Sequence, residues 1–276
     1  MLDSKSANSL TKIAAGGISG RGPSSLCADG IWDAALGLIR AARRVAVVTG
    51  FFIPSAGAPE TDGPTGSVAL AMSLGRFGLD AEIWTDFRCV GAVKACAAAA
   101  GLPEERVADV SGDIEGTESP DLLIYVERLG RASDGAYYDM RKNDVSAFTS
   151  PLDEFALRGD AKVIGIGDGG NEAGMANYSS SLAGLMPDYA ACLSSVGADV
   201  AIPVDVSNWG AYALCAALSL ETGKWLAQSE DGEIKMIEAL VRAGAVDGMK
   251  KTASLSVDGF GIAKQAEIIR ALRSLL

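Results

Sequence analysis

TGFFIPSAGAPETDGPTG, residues 49–66, decides how this chain reads. It follows a short apolar strand, Val45 to Val48, and runs into an apolar helix from Ser67 to Phe77. A strand-to-helix connection normally takes roughly 2–6 residues, so this loop does more than link. Its three prolines and four glycines fix a particular backbone path, because proline locks φ and glycine opens conformations closed to other residues. Pro64 stands in the first turn of the helix, where its missing N–H does no harm, and Asp62 is close enough to cap free N–H groups there. Glu60 and Asp62 make the loop acidic. A shaped acidic loop at the carboxyl end of a strand is where open α/β sheets bind ligands. A plain surface excursion would have no use for such a composition.

Outward from this loop, strands and helices alternate. Ile31 to Ala42 has helical spacing, Ala81 to Trp84 is a strand, and a helix follows around Val90 to Ala100. Asp121 to Val126 is a strand, Pro151 to Leu157 is helical, and Lys162 to Ile166 is a strand followed by a turn and a helix starting near Asn171. Asp199 to Pro203 is a strand, Trp209 to Glu221 a helix, and two more helices fit Glu233 to Ala243 and Ala263 to Leu275. Such alternation predicts an α/β fold, a mainly parallel sheet with helices on both faces. With no repeat and no convincing linker, residues 29–276 read as one domain. Residues 1–28 are polar and rich in Gly and Ser, and read as a partly mobile arm.

The unusual residues fall after the strands. Thr85 to Cys89, the polar segment Glu127 to Arg141, the run Gly165 to Gly174 and Val206 to Trp209 join the Glu60/Asp62 loop. In a parallel sheet these loops leave from one edge, so their Asp, Glu, Arg, Asn and Gly residues are expected to form one composite site.

Composition narrows the chemistry. Hydrophobic residues make up 49% of the chain and mean hydropathy is +0.21, which implies a substantial core. No apolar run reaches the roughly 18 residues of a membrane span, and the first residues carry no apolar signal core. The net charge of −11 with scattered basic residues argues against nucleic acid. Five cysteines without a CxxC pair read as reduced thiols, and a cytoplasmic location is expected. Cys89 lies in a site loop but reads first as a small packed hydrophobe. Histidine is absent, which removes Ser-His-Asp and Cys-His catalysis and histidine-held zinc. Acid–base work falls to carboxylates, Lys, Tyr or Cys, and any metal is expected to be a hard cation on oxygen ligands.

GIGDGGNEAG, Gly165 to Gly174, is a loose GxGxxG. Asp168 would stand where a phosphate wants bare N–H groups, and the GK[ST] ending of a P-loop is missing. The better reading is that glycines expose Asp168, Asn171 and Glu172 to hold an ammonium group or a cation, or to orient a water. The plain alternative is a tight turn with Asp168 or Asn171 as a helix cap. Glu127, Arg128, Arg131 and Arg141 bring the only dense arginines to this edge. Arginine can grip a substrate carboxylate with two parallel hydrogen bonds, or be mere surface charge. Tyr137 and Tyr138 would cover a ligand or pack. Asn208 is a polar contact or a cap, and Asp247-Gly248 and Asp258-Gly259 read as turns.

TGFFIP…ETDGPTG, DGAYYDMRKNDVS, GIGDGGNEAGM and SNWGAYAL together resemble the C-terminal domain of the D-glutamate cyclase family and its stand-alone bacterial relatives, from about Arg43 to Asp258. The resemblance implies a Rossmann-like α/β domain. It also implies a carbon–oxygen lyase that converts D-glutamate to 5-oxo-D-proline and water. The matching positions are Glu60, Asp62 and Gly63; Asp134, Gly135, Met140 and Arg141; Gly167, Asp168, Gly169, Gly170, Asn171, Glu172 and Gly174; and Ser207, Asn208 and Trp209. The two-domain cyclase carries a further N-terminal domain resembling hydro-lyases. This chain has no room for it, so a separate hydro-lyase-like partner is one expectation.

The leading reading is an enzyme acting on a small anionic amino acid. Glu60, Asp62, Asp168 and Glu172 are its catalytic candidates. Gly63, Arg141, Gly169, Gly170, Asn171 and Asn208 are its substrate-binding candidates. Asp62, Asp168 and Glu172 are candidate ligands of Mg²⁺ or Ca²⁺. Two other readings stand beside it: a non-catalytic amino-acid-binding or regulatory module, and a nucleotide enzyme using the glycine turn. Homo-oligomerisation stays open.

Overall fold

The computed structural model describes all 276 residues. Six strands form the central sheet: β1 (Arg44–Thr49), β2 (Asp80–Thr85), β3 (Val107–Asp109), β4 (Leu122–Val126), β5 (Lys162–Gly167) and β6 (Val200–Pro203). Their order is β3-β2-β1-β4-β5-β6 and every neighbouring pair is parallel. The order reverses between β1 and β4, which opens a crevice at their carboxyl ends. Along β1, Val45 and Val47 enter the larger core while Ala46 and Val48 enter the second one. The strand therefore alternates between two buried faces, as parallel sheets require.

Helices surround the sheet: α1 (Ser4–Ala14), α2 (Gly30–Ala41), α3 (Pro64–Phe77), α4 (Val90–Ala100), α5 (Glu154–Leu157), α6 (Ser179–Leu185), α7 (Ser207–Thr222), α8 (Glu230–Arg242) and α9 (Ile262–Arg273). α3 and α7 lie side by side at the centre of the larger core. Gly66 permits this approach: a Cβ there would stand 2.8 Å from the Asn208 side chain and 2.9 Å from that of Ala211. The second face is covered by α5 and by irregular chain carrying Leu152, Ala173 and Val196.

Two expectations about local structure change. The helix starting near Asn171 does not form. Backbone bonds from Gly130 N–H to Asn171 and from Ala173 N–H to Arg128 pin this segment to the chain leaving β4, and the next regular helix is α6. The N-terminal segment, read as an arm, is anchored. Ala7, Leu10 and Ala14 are buried against α7 and α9. Asp205, just beyond β6, accepts from the N–H groups of Gly17 (2.8 Å) and Ile18 (3.1 Å).

The two helices at the crevice exchange caps. Asp62, in the loop before α3, accepts from Ser207 N–H (3.0 Å) and Asn208 N–H (2.9 Å) of α7. In return, Asn208 Oδ1 accepts from Gly63 N–H (3.0 Å) and Gly66 N–H (2.7 Å) of α3. Asp62 therefore caps the neighbouring helix rather than the one it precedes, and Asn208, fully enclosed, caps the other. Asn208→Ala leaves the buried Gly66 N–H without a partner, while Gly63 N–H keeps its bond to Asp62, and should lower stability by about 2 kcal/mol. Urea unfolding is the measurement, and a change below about 0.5 kcal/mol, ordinary for a surface site, would contradict this role.

Glu233 of α8 is a second buried acid, accepting from Tyr212 Oη (2.7 Å) and Gln228 Nε2 (2.8 Å). Burial pushes it up to about 7, so the folded chain binds a proton that the unfolded chain releases at lower pH. The stability this contributes is present below the unfolded carboxyl pKa and is lost as pH rises through about 7. Glu233→Gln keeps the shape and an oxygen to accept from Tyr212 or Gln228 while removing the titrating group. Its melting temperature should fall less than the parent's between pH 5 and pH 8; parallel curves would exclude Glu233 as a source of the pH dependence.

Candidate active site

A pocket of about 300 Å³ opens at the carboxyl edge of the sheet, where β1 and β4 part. Five carboxylates line it: the floor acids Glu60, Glu127, Asp168 and Asp258, with little exposure, and the more exposed Asp139. Arg141 and Lys251 line it too, with Phe51, Ile53, Met140 and Met249 supplying apolar walls.

Each acid is placed by a different element. Glu60 follows the short hairpin Phe52–Ile53/Ala58–Pro59, held by a bond from its N–H to Phe51 and by a bridge to Val246. Glu127 leaves β4 at φ +48°, a left-handed conformation that costs a side-chain-bearing residue energy and is retained where the surroundings enforce it. Its Oε2 accepts from Ser207 Oγ. Asp168 leaves β5. Asp258 forms, with Gly259, the two-residue turn of the hairpin Ser256–Val257/Phe260–Gly261. Both residues have positive φ, 51° and 84°, as a hairpin turn matched to strand twist demands. Asp247 steadies this segment by accepting from the N–H groups of Met249, Lys250 and Gly259.

Arg21 reaches this floor from the N-terminal segment. One guanidinium nitrogen lies 2.5 Å from Asp168 Oδ2 and the other 2.7 Å from Asp258 Oδ2. Burial pushes Glu60, Glu127 and Asp258 well above the ordinary carboxyl range, and neighbouring carboxylates push them further. Burial, then Asp258, brings Asp62 to about 8. Asp168 stands at about 7, raised by burial and pulled back by Arg21. Groups so poised can exchange protons near neutral pH.

Glu172 does a different task from the one its sequence position suggested. Its carboxylate accepts from the N–H groups of Asp168 (3.1 Å), Gly169 (2.7 Å) and Gly170 (2.7 Å). The glycine turn is thus a cradle already filled by the chain's own anion, leaving those N–H groups unavailable to a nucleotide phosphate. Gly169 and Gly170 shape this turn. Gly63, at φ +95°, lets the β1 loop pass Thr49, whose Oγ1 a Cβ would meet at 2.6 Å.

Of the other candidates, Asn171 lines the pocket; its Nδ2 donates to the Tyr138 carbonyl, while its Oδ1 is buried without a partner. Asn208 is enclosed between the two helices. Arg141 is exposed at the pocket, whereas Arg128 is buried on Asp86 and Arg131 is paired with Asp153. Tyr137 donates to Asp153 and Tyr138 to Asp134. Cys89 is buried, and burial pushes its thiol up, away from nucleophilic chemistry. The metal set Asp62, Asp168 and Glu172 divides: Asp168 is shared between Asp62–Asp168–Asp258 and Glu127–Asp168–Glu172, each a group with oxygens within 4.8 Å of one another.

Sequence reasoning missed Arg21 and Asp258. The signal for Arg21 was its glycine flanks, Gly20 and Gly22, both with positive φ. Asp258 was read correctly as a turn, but a turn residue's side chain points according to tertiary placement.

Among solved structures, the chain is similar to an exopolyphosphatase-related protein from Bacteroides fragilis, at 10% identity and a TM-score of 0.46, over 90% of this chain and 57% of that one. It is 34% identical over 221 residues to the mitochondrial D-glutamate cyclase of Homo sapiens, which covers 70% of this chain. The chain spans 35% of that relative's length. Residues 10–273 match the family described as D-glutamate cyclase-like, C-terminal, and the chain belongs to that family.

Proposed function

We propose that the pocket binds a small amino dicarboxylate and cyclises it, with D-glutamate as the substrate and 5-oxo-D-proline and water as products. One observation carries this reading: the pocket joins a floor of buried acids to the basic groups of Arg141 and Lys251. The floor suits an ammonium group and the basic side chains suit carboxylates. The kinship with D-glutamate cyclase supports the same substrate class.

The reaction forms a bond between the α-nitrogen and the side-chain carboxyl carbon and breaks one carbon–oxygen bond. Two protons leave the ammonium nitrogen and depart with the oxygen as water, so the reaction neither takes up nor releases protons overall. It needs a base beside the nitrogen and an acid beside the leaving oxygen. Asp168, near 7 and held by Arg21, is the base. Glu60 and Asp258, kept protonated by burial and by their neighbours, are the acids. Asp62 shapes the loop from below, and Glu172 fixes the backbone that carries Asp168.

Incubation with D- and L-glutamate, followed by mass spectrometry for 5-oxoproline, tests the reading. Product from D-glutamate, lost by about a hundredfold in Asp168→Asn at unchanged melting temperature, is expected. D-glutamate that stabilises the protein to heat yet stays intact, with or without divalent cations, would make this a binding module and overturn the cyclase reading.

Arg21 gives a sharper test. It favours the charged form of Asp168, so the rising limb of kcat/KM should lie near pH 7 in the parent and move to higher pH in Arg21→Gln. An unmoved limb would exclude Asp168 as the base.

A further inference from the structure

We propose that Glu127, Asp168 and Glu172 hold a hard divalent cation, of the magnesium or manganese class, at the base of the pocket that Glu127 and Asp168 line. The three carboxylates are buried, and their oxygens lie within 4.8 Å of one another. Oxygens around such a cation at about 2.1 Å stand roughly 3–4.2 Å apart, so the triad is already near the spacing an ion demands. The inference is independent of the substrate assigned above, but an ion and a proton compete for Asp168, so the base role assigned to Asp168 belongs to the ion-free site.

The second observation is an accumulation of acceptors without donors. Asn171 Oδ1 is buried, unpartnered and on the pocket wall. Its orientation is fixed, because the amide nitrogen donates to the Tyr138 carbonyl at 2.8 Å. That oxygen, Met140 Sδ and Glu172 Oε1 surround one point, standing 2.6 Å, 2.7 Å and 3.1 Å from where a Cβ on Gly169 would be. Glu60 Oε1, in the same floor, is also buried without a partner. Arg21 meets Asp168 through Oδ2 and otherwise turns to Asp258. Glu127 pairs with no basic side chain; its carboxylate accepts from the Ser207 hydroxyl. Glu172 Oε1 takes two backbone N–H groups and Oε2 takes one, which leaves a lone pair of Oε2 free.

The donor set selects the class of ion. Carboxylates and an amide oxygen suit hard cations, whereas softer metals favour imidazole and thiolate. The chain has no histidine, and none of its cysteines belongs to either acidic group. Asp62–Asp168–Asp258 is the weaker alternative, because the Arg21 guanidinium already bridges two of its members.

Mn²⁺ binding to the full chain, stripped with EDTA and desalted, decides the matter without any substrate. Electron paramagnetic resonance of free Mn²⁺ reads the bound fraction, and thermal melting of each variant reads its fold. One Mn²⁺ per chain is expected. Glu127→Gln and Asp168→Asn should each weaken it by at least about tenfold, the loss of one charged contact. Asp258→Asn and the exposed control Glu118→Gln should bind like the parent. No binding by the folded parent at millimolar Mn²⁺ would overturn the proposal. So would loss in Asp258→Asn with retention in Glu127→Gln, which would move the ion to the other triad. Should Glu127→Gln not fold, Asp168→Asn against Asp258→Asn makes the same distinction. Because no amino acid is present, none of these outcomes depends on whether D-glutamate is turned over.

Discussion

The exchange of caps between Asp62 and Asn208 is the constraint on which the site depends. Two helices start from opposite sides of the point where strand order reverses, and each leaves N–H groups that its own turn cannot satisfy. Each is satisfied by a side chain from the other. This ties the loop after β1 to the start of α7, and Gly66 brings the helices close enough for the exchange. The long loop can then carry Glu60 over the crevice without adding a helix of its own. Ser207, at the same helix start, reaches Glu127 after β4. The polar framework that closes the fold is continuous with the one that forms the pocket.

That continuity explains why so much negative charge is tolerated. Acids taken out of water ordinarily neutralise themselves or find partners. Here backbone N–H groups hold Asp62 and Glu172, a guanidinium holds Asp168 and Asp258, and Glu60 and Glu127 are driven toward their protonated forms. The arrangement opposes stability at neutral pH and above, because raised carboxyl groups release their protons there. A fold keeps such a floor where a ligand uses it, and the αL backbone of Glu127 and Asp258 belongs to the same class of locally unfavourable features.

The sheet was legible in the sequence because each strand is a short apolar run between Gly, Pro and polar residues. Loops placed after parallel strands necessarily share an edge, so Glu60, Asp168, Asn171 and Arg141 were legible as neighbours. What each side chain does was not. Asp62 and Asn208 satisfy helices to which they do not belong, a relation set by packing across 146 positions. Glu172 turns back onto its own loop. Arg21 and Asp258 enter from segments that carry no strand of the central sheet, so no argument about strand ends could find them. The resemblance to the cyclase family carries the proposed substrate class, which neither periodicity nor spacing contains.

The glycine turn shows why strand order alone does not assign chemistry. The order found here, with a glycine-bearing loop at the carboxyl edge, is the one that serves dinucleotides elsewhere. In such sites bare N–H groups and a helix N-terminus receive a phosphate. Here the N–H groups of Asp168, Gly169 and Gly170 receive Glu172, and no helix starts at Asn171. The same backbone device that elsewhere binds an external anion is used to fix an internal one. Its effect is to tie down the backbone that carries Asp168 and to bring a second carboxylate beside it, so that a loop able to receive an anion presents carboxylates instead. Function on this fold follows from which group fills the cradle.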